Sequence, residues 1–145
     1  MATPTDPRVA RIVKAFEALT PAALERLDEI YTADAHFKDP FNAVQGVPAI
    51  RAVFEHMYAT LDAPRFVIRD VVAQGDQCFL SWDFVFRMRR FNRDEQTVHG
   101  GSHLQLAADG RIALHRDYWD VAEELYEKLP VVGSLMRWLK RRASS

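Results

Sequence analysis

The 145-residue sequence has one cysteine, six glycines, a net charge of −1 and no long apolar run. A single cysteine excludes an internal disulfide. Cys78 sits in an apolar stretch, which predicts a packed thiol rather than a nucleophile. Without a long apolar run, no helix is expected to cross a bilayer. Near-zero net charge removes the electrostatic reason to expect a nucleic-acid partner. The opening Met1–Pro7 carries no basic segment followed by an apolar one. No secretory leader is therefore read there, and a cytoplasmic location is the expectation. No repeat, linker or low-complexity tract interrupts the chain. No two candidate ligands have a familiar metal spacing, so neither a metal nor another cofactor is expected.

What is present is apolar mass: 48% of residues are hydrophobic, enough for one domain with a proper core. Charge is unevenly placed. From Lys128 to Ser145 the charged residues are all basic, which leaves the preceding residues acidic.

Asp6-Pro7 is a helix start, with Val9, Ile12, Val13, Phe16 and Leu19 at helical spacing. Thr20-Pro21 restarts the pattern, and Leu24, Leu27, Ile30 and Tyr31 form its apolar face. His36 to Pro40 reads as a short extended piece, because proline pushes Asp39 out of the helical region. After Gly46 a third helix presents Ile50, Val53, Phe54, Met57 and Leu61. Beyond Pro64 the period changes to two. Strands are predicted over Phe66–Ala73, Cys78–Arg89, Thr97–Ala107 and Arg111–Trp119, with a charged hairpin tip at Phe91–Asp94 and a bulge or bend at Gly100-Gly101. Short hairpin connections imply an antiparallel sheet. Helices followed by strands imply an α+β fold with the helices on one face of a curved sheet. Leu129–Arg142 reads as an amphipathic helix, with Val131, Val132, Leu135, Met136 and Leu139 on one side, Trp138 at the edge and Arg137, Lys140, Arg141 and Arg142 basic. Three roles are open to it: an anionic membrane surface, the mouth of a pocket, or a partner subunit.

Two strands carry the chemistry. In Ala113–Asp120, alternation puts His115, Asp117 and Trp119 on one face. In Cys78–Arg89, Leu80, Trp82, Phe84 and Phe86 share one face, and Ser81, Asp83, Val85 and Arg87 the other. Alternation alone puts the aromatics inside.

The order of elements resembles the nuclear transport factor 2-like superfamily, which includes SnoaL-like proteins, ketosteroid isomerases and limonene epoxide hydrolase. The stretches that carry the resemblance are Ile30–Pro40, Gly46–Phe54, Asp109–Ile112 and His115–Asp120. It implies a cone, a curved antiparallel sheet wrapped around the N-terminal helices, with an apolar pocket at the open end. Residues 1–129 would form the cone. Residues 130–145 would be a basic helix, either part of the same domain or a surface appendage.

On the isomerase pattern Asp39 is the base. Phe16 and Ser102 stand where the oxyanion-holding tyrosine and aspartic acid would be, a departure that removes both donors. On the epoxide hydrolase pattern Asp83 and Asp117 are the two acids. There Ser81 replaces the arginine between them, and Phe37 and Asp39 replace a tyrosine and an asparagine. That register points Asp39, Asp83 and Asp117 into one pocket with Val85, His115 and Trp119. Carboxylates crowded in an apolar cavity would share a proton. The alternative is structural, with Asp117 capping backbone groups or pairing with Arg87 or Arg111.

The resemblance thus implies a protein that binds a small apolar molecule. As an enzyme it would be a cofactor-independent isomerase, hydratase or cyclase. The alternative is a non-catalytic ligand-binding or regulatory protein. With Asp83 inward, the stripe Leu80, Trp82, Phe84 and Phe86 would face outward, and a homodimer is the expected way to cover it.

Overall fold

The computed structural model describes residues 4–90, 93–124 and 130–144; the hairpin tip at Phe91 and Asn92 and the helix start at Leu129 lie outside the described residues. Helix α1 (Pro7–Glu17) begins as its sequence dictates. Asp6 accepts the Arg8 amide at 2.9 Å, and Pro7 occupies the first turn. Its buried residues are Val9, Ile12, Val13 and Phe16. A 3₁₀ segment, Pro21–Glu29, follows behind the Thr20 cap, which accepts the Ala23 amide at 3.3 Å.

Six strands come from the rest: β1 (Tyr31–Lys38), β2 (Ala43–Gln45), β3 (Leu61–Gln74), β4 (Gln77–Met88), β5 (Glu95–Leu106) and β6 (Ile112–Tyr118). Helix α2 (Val47–Thr60) separates β2 from β3, and α3 (Val121–Glu124) and α4 (Pro130–Ser144) follow β6. The strands form one curved, unclosed sheet in the order β2-β1-β6-β5-β4-β3. Helices α1 and α2 pack on its inner face.

Three expectations change. Tyr31 opens β1 instead of closing a helix, and pairs with Ile112. That pairing makes β1 parallel to β6, so the sheet is mixed. Hairpin length speaks only for strands joined by hairpins, and β1 reaches β6 across most of the chain. Leu61 likewise belongs to β3 rather than to α2.

Gly100-Gly101 is not a bulge: the β4–β5 register runs without a break from Gln77↔Gln105 to Arg87↔Glu95. Gly100 has a packing reason instead. It lies opposite Trp82, and a Cβ there would come within 2.5 Å of the indole ring.

The largest correction concerns β4. Leu80, Trp82 and Phe86 are buried in the core, and Phe84 packs partly buried against it. They face the helices. Ser81 and Asp83 face the other way, and so does Val85, which is buried but outside the main core cluster. The apolar set wins because each large apolar side chain gains about 1.5–3 kcal/mol on burial, while an inward carboxylate would lose hydration. The outward stripe from which a homodimer was expected therefore does not exist. In α4, Leu135, Trp138 and Leu139 are exposed, as are Arg137, Lys140, Arg141 and Arg142. Among the described residues no helix is long and apolar enough to cross a membrane.

Candidate functional site

Alternation along β6 turns His115 and Asp117 to the inner face, and pairing with β5 sets Ser102 directly opposite Asp117. Ser102 also accepts the Trp82 indole N–H across β4–β5, at 2.8 Å. Trp82 can lie flat there because Gly100 has no side chain. A hydrogen-bonded chain results. Tyr31 meets His115 Nδ1 at 2.7 Å, His115 Nε2 meets Asp117 Oδ1 at 2.6 Å, and the Ser102 hydroxyl donates to the same Oδ1 at 2.5 Å.

Proton positions follow from what each group can do. The indole only donates, so Ser102 accepts from it and gives its own proton to Asp117. A carboxylate only accepts, so His115 donates from Nε2. At its other nitrogen, Nδ1, the ring meets the Tyr31 hydroxyl. Complete burial, and then the negative charge of Asp117, hold the Tyr31 hydroxyl well above the usual phenol range, so it stays protonated. His115 is further fixed by rings. Phe16 meets it edge-on at 5.7 Å and Phe37 at 4.7 Å, and Tyr31 stacks at 5.9 Å.

Asp117 ends this chain asymmetrically. Oδ1 takes two donors, while no described side chain or backbone group donates to Oδ2. No buried side-chain nitrogen or oxygen lacks a partner among the described residues, so Oδ2 reaches open space. Asp117 lines two spaces. One is a narrow cavity of about 20 Å³, walled by Phe16, Phe54, Phe66, Leu80 and Trp82 among others. That is room for about one water. The aromatic residues thus fill most of the pocket expected inside the cone. The other is an open groove of about 550 Å³ at the end of β6, lined also by Lys38, Asp39, Arg116 and Trp119. Phe41 meets Trp119 edge-on at 5.6 Å there. A volume of that size suits a small organic molecule.

Of the residues singled out in the sequence, Phe16, Phe37, Ser102, His115 and Asp117 come together, and Trp119 borders the same groove. Asp39 is at the groove too, but its carboxylate holds a turn. Oδ1 accepts the Phe41 and Asn42 amides at 2.8 and 2.6 Å, and the Asn42 side chain reaches both oxygens at 3.1 Å. Ser81 and Asp83 are on the far side of the sheet. Ser81 donates to Asp70. Asp83 meets Arg69 at 2.6 Å and His99 at 2.5 Å, and His99, then Arg69, hold its carboxyl below the usual range. The crowd of three carboxylates sharing a proton is therefore not formed. Asp117 pairs with neither Arg87 nor Arg111, which are engaged by Glu95 and Asp109. Burial pushes the Cys78 thiol up to about 11, in keeping with a packed side chain.

Two members of the hydrogen-bonded chain around Asp117 are not legible as such in the sequence. Tyr31 has helical spacing with Leu24, Leu27 and Ile30, and the motif register turns Trp82 outward. For Trp82 the alternation of β4 was the available signal.

The chain covers 84% of itself and 94% of a putative SnoaL-like polyketide cyclase from Jannaschia sp. CCS1, with TM-score 0.71 and 16% identity. An epoxide hydrolase from M. tuberculosis resembling limonene epoxide hydrolase gives TM-score 0.67 and 20% identity over 83% of this chain and 89% of that one. A ketosteroid isomerase-like fold from Catenulispora acidiphila, in complex with trimethylamine, gives 0.70 and 18% over 84% and 92%. At such identities the likeness is one of fold. No curated protein matches the sequence. The model of the SnoaL-like domain matches residues 12–115, most of the chain, and the protein belongs to that family.

Proposed function

We propose that this protein moves a proton on a small, largely apolar molecule lying in the groove at the end of β6, with Asp117 as the group that takes and returns it. The observation that carries the reading is the divided carboxylate: one oxygen is fixed by Ser102 and His115, the other has no donor among the described residues, and the residue lines both the cavity and the groove. Two donors on one oxygen orient the carboxylate and leave the other oxygen for a substrate proton, which suits a general base. An acidic C–H beside a carbonyl gives its proton to Oδ2, leaving an enolate, and the same oxygen returns it to that carbon or, where the enolate is conjugated with a double bond, to the γ-carbon. Such a transfer belongs to the isomerases and cyclases of the family and needs no cofactor. His115 and Ser102 act by holding Asp117; Phe37 and Phe16 hold His115. We assign Asp39 and Asp83 to structure, since each carboxylate is engaged at both oxygens.

The test needs no knowledge of the natural substrate. A panel of apolar ketones and enones is incubated with the protein in D₂O, and exchange of α-hydrogens is followed by NMR. Exchange above background is expected for at least one member. Asp117→Asn, which keeps an oxygen for Ser102 and His115, should lower it about 100-fold or more, while Asp83→Asn should leave it within about twofold. Binding of panel members without any exchange would favour the non-catalytic alternative.

A further inference from the structure

The parallel pairing of β1 with β6 puts Lys38 directly beside Arg116, both exposed on the outer face. Like charges side by side across a ladder destabilise a sheet. Neither has an ion pair among the described residues, although Arg8, Arg65, Arg69, Arg87, Arg89, Arg93 and Arg111 all do. Arg116 is braced instead by the Tyr118 ring, 4.8 Å from its guanidinium carbon. The carboxylates nearest in sequence are held elsewhere. Asp39 closes its turn, Asp117 points to the inner face, and Asp120 accepts the Glu123 amide at 3.0 Å.

Lys38 and Arg116 border two hollows at once. One is the groove at Asp117 and Trp119. The other, of about 570 Å³, lies over β2, β1 and β6. Its lining includes His36, Val44, Gln45 and Leu114 but no carboxylate. A ligand could therefore place an anionic end in the second hollow, away from Asp39 and Asp117, and pass its apolar body between the two cations to Trp119.

We infer that the ligand of this protein carries an oxyanion head, a carboxylate or a phosphate, held by Lys38 and Arg116. This rests on the groove being the ligand site. It adds a substrate class: an apolar molecule with one anionic end. The two residues bind and orient; they touch no reacting atom.

Octanoate, octyl phosphate and 1-octanol share a tail and differ in the head. Each is titrated into the full-length protein while the Trp119 indole signal is followed by NMR, assigned by Trp119→Phe. At least one anion should bind about tenfold more tightly than octanol, and in Lys38→Gln/Arg116→Gln the ratio of anion to octanol affinity should fall to about one. Which anion binds separates carboxylate from phosphate. The same double variant should melt no lower than wild type at low salt, because it relieves a like-charge pair. That measurement also establishes that it is folded. Octanol binding as tightly as both anions, or an anion advantage that survives the double variant, would overturn the head-group inference and leave the groove standing. If none of the three moves the Trp119 signal, the groove fails as a ligand site, and the inference fails with it.

Discussion

Asp83 and Asp117 belong to strands of one sheet separated only by β5, yet the two faces treat them differently. On the outer face Asp83 meets the Arg69 guanidinium and the His99 ring, so both its oxygens are taken by cationic or ionisable partners. On the inner face Asp117 meets only a hydroxyl and an imidazole N–H, both on one oxygen. A carboxylate engaged on every side is a strut. One oriented through a single oxygen keeps the other oxygen free of donors. The contrast assigns the two residues more firmly than their shared residue type could.

The inner arrangement rests on Trp82 lying over Gly100, and the largest structural effect is expected there. Gly100→Ala would put a methyl within 2.5 Å of the indole. Either the ring or the strand must shift, at about 1–3 kcal/mol. Thermal melting should record the loss, and Trp82 fluorescence should change with it. Gly101→Ala is the comparison: its Cβ would crowd the Leu80 carbonyl oxygen at 3.0 Å and no ring, so stability should fall without a change at Trp82. An unchanged melting point and spectrum in Gly100→Ala would mean that Trp82 does not depend on this glycine.

A smaller loss is expected for Ser102→Ala. It leaves the buried Trp82 N–H without an acceptor and takes one of two donors from Asp117. About 1–2 kcal/mol of stability should go, mostly from the indole. Trp82→Phe/Ser102→Ala removes both partners of that bond, so the second step should lose less than Ser102→Ala does alone in the wild type. Additive losses would show that the Trp82–Ser102 contact carries no coupling.

Much of this was legible in the sequence. Caps at Asp6 and Thr20 placed the first two helical segments, and period two along residues 113–120 put His115 and Asp117 on one face. The family resemblance brought Phe16, Phe37 and Ser102 to the site. It misled at β4, where a motif register was allowed to outweigh alternation. There the burial of Leu80, Trp82 and Phe86 decides the face, and a slip by one residue inverts every side chain. Tyr31 and Gly100 were illegible for another reason. Tyr31 is a strand residue because Ile112 pairs with it from the far end of the chain, and Gly100 is required by an indole on the neighbouring strand. Neither cause lies in the local sequence. The filling of the cone is also a tertiary matter, since it depends on Phe54 of α2 and Phe66 of β3 meeting Trp82 in one place.

The smallest expected effect belongs to Asp83 and has a definite pH signature. His99 and Arg69 hold its carboxyl below the ordinary value of 3.8. A group with a depressed folded pKa stabilises the fold above its unfolded pKa, and that contribution is lost as pH falls through the folded value. Its partners are well exposed, Arg69 at 59% and His99 at 67%, so solvent screens the pair. Asp83→Asn should therefore lose only about 1 kcal/mol at pH 7, and less in high salt. The difference from wild type should persist at pH 5 and should shrink below pH 4, as the wild-type carboxylate is protonated. Had Asp83 been an inward, crowded carboxylate, its folded pKa would have been raised. The variant would then gain stability at pH 7, and the gain would disappear in acid. Melting curves of both proteins at pH 7, 5 and 3 distinguish the two signs, and a gain at pH 7 would return Asp83 to the inner face.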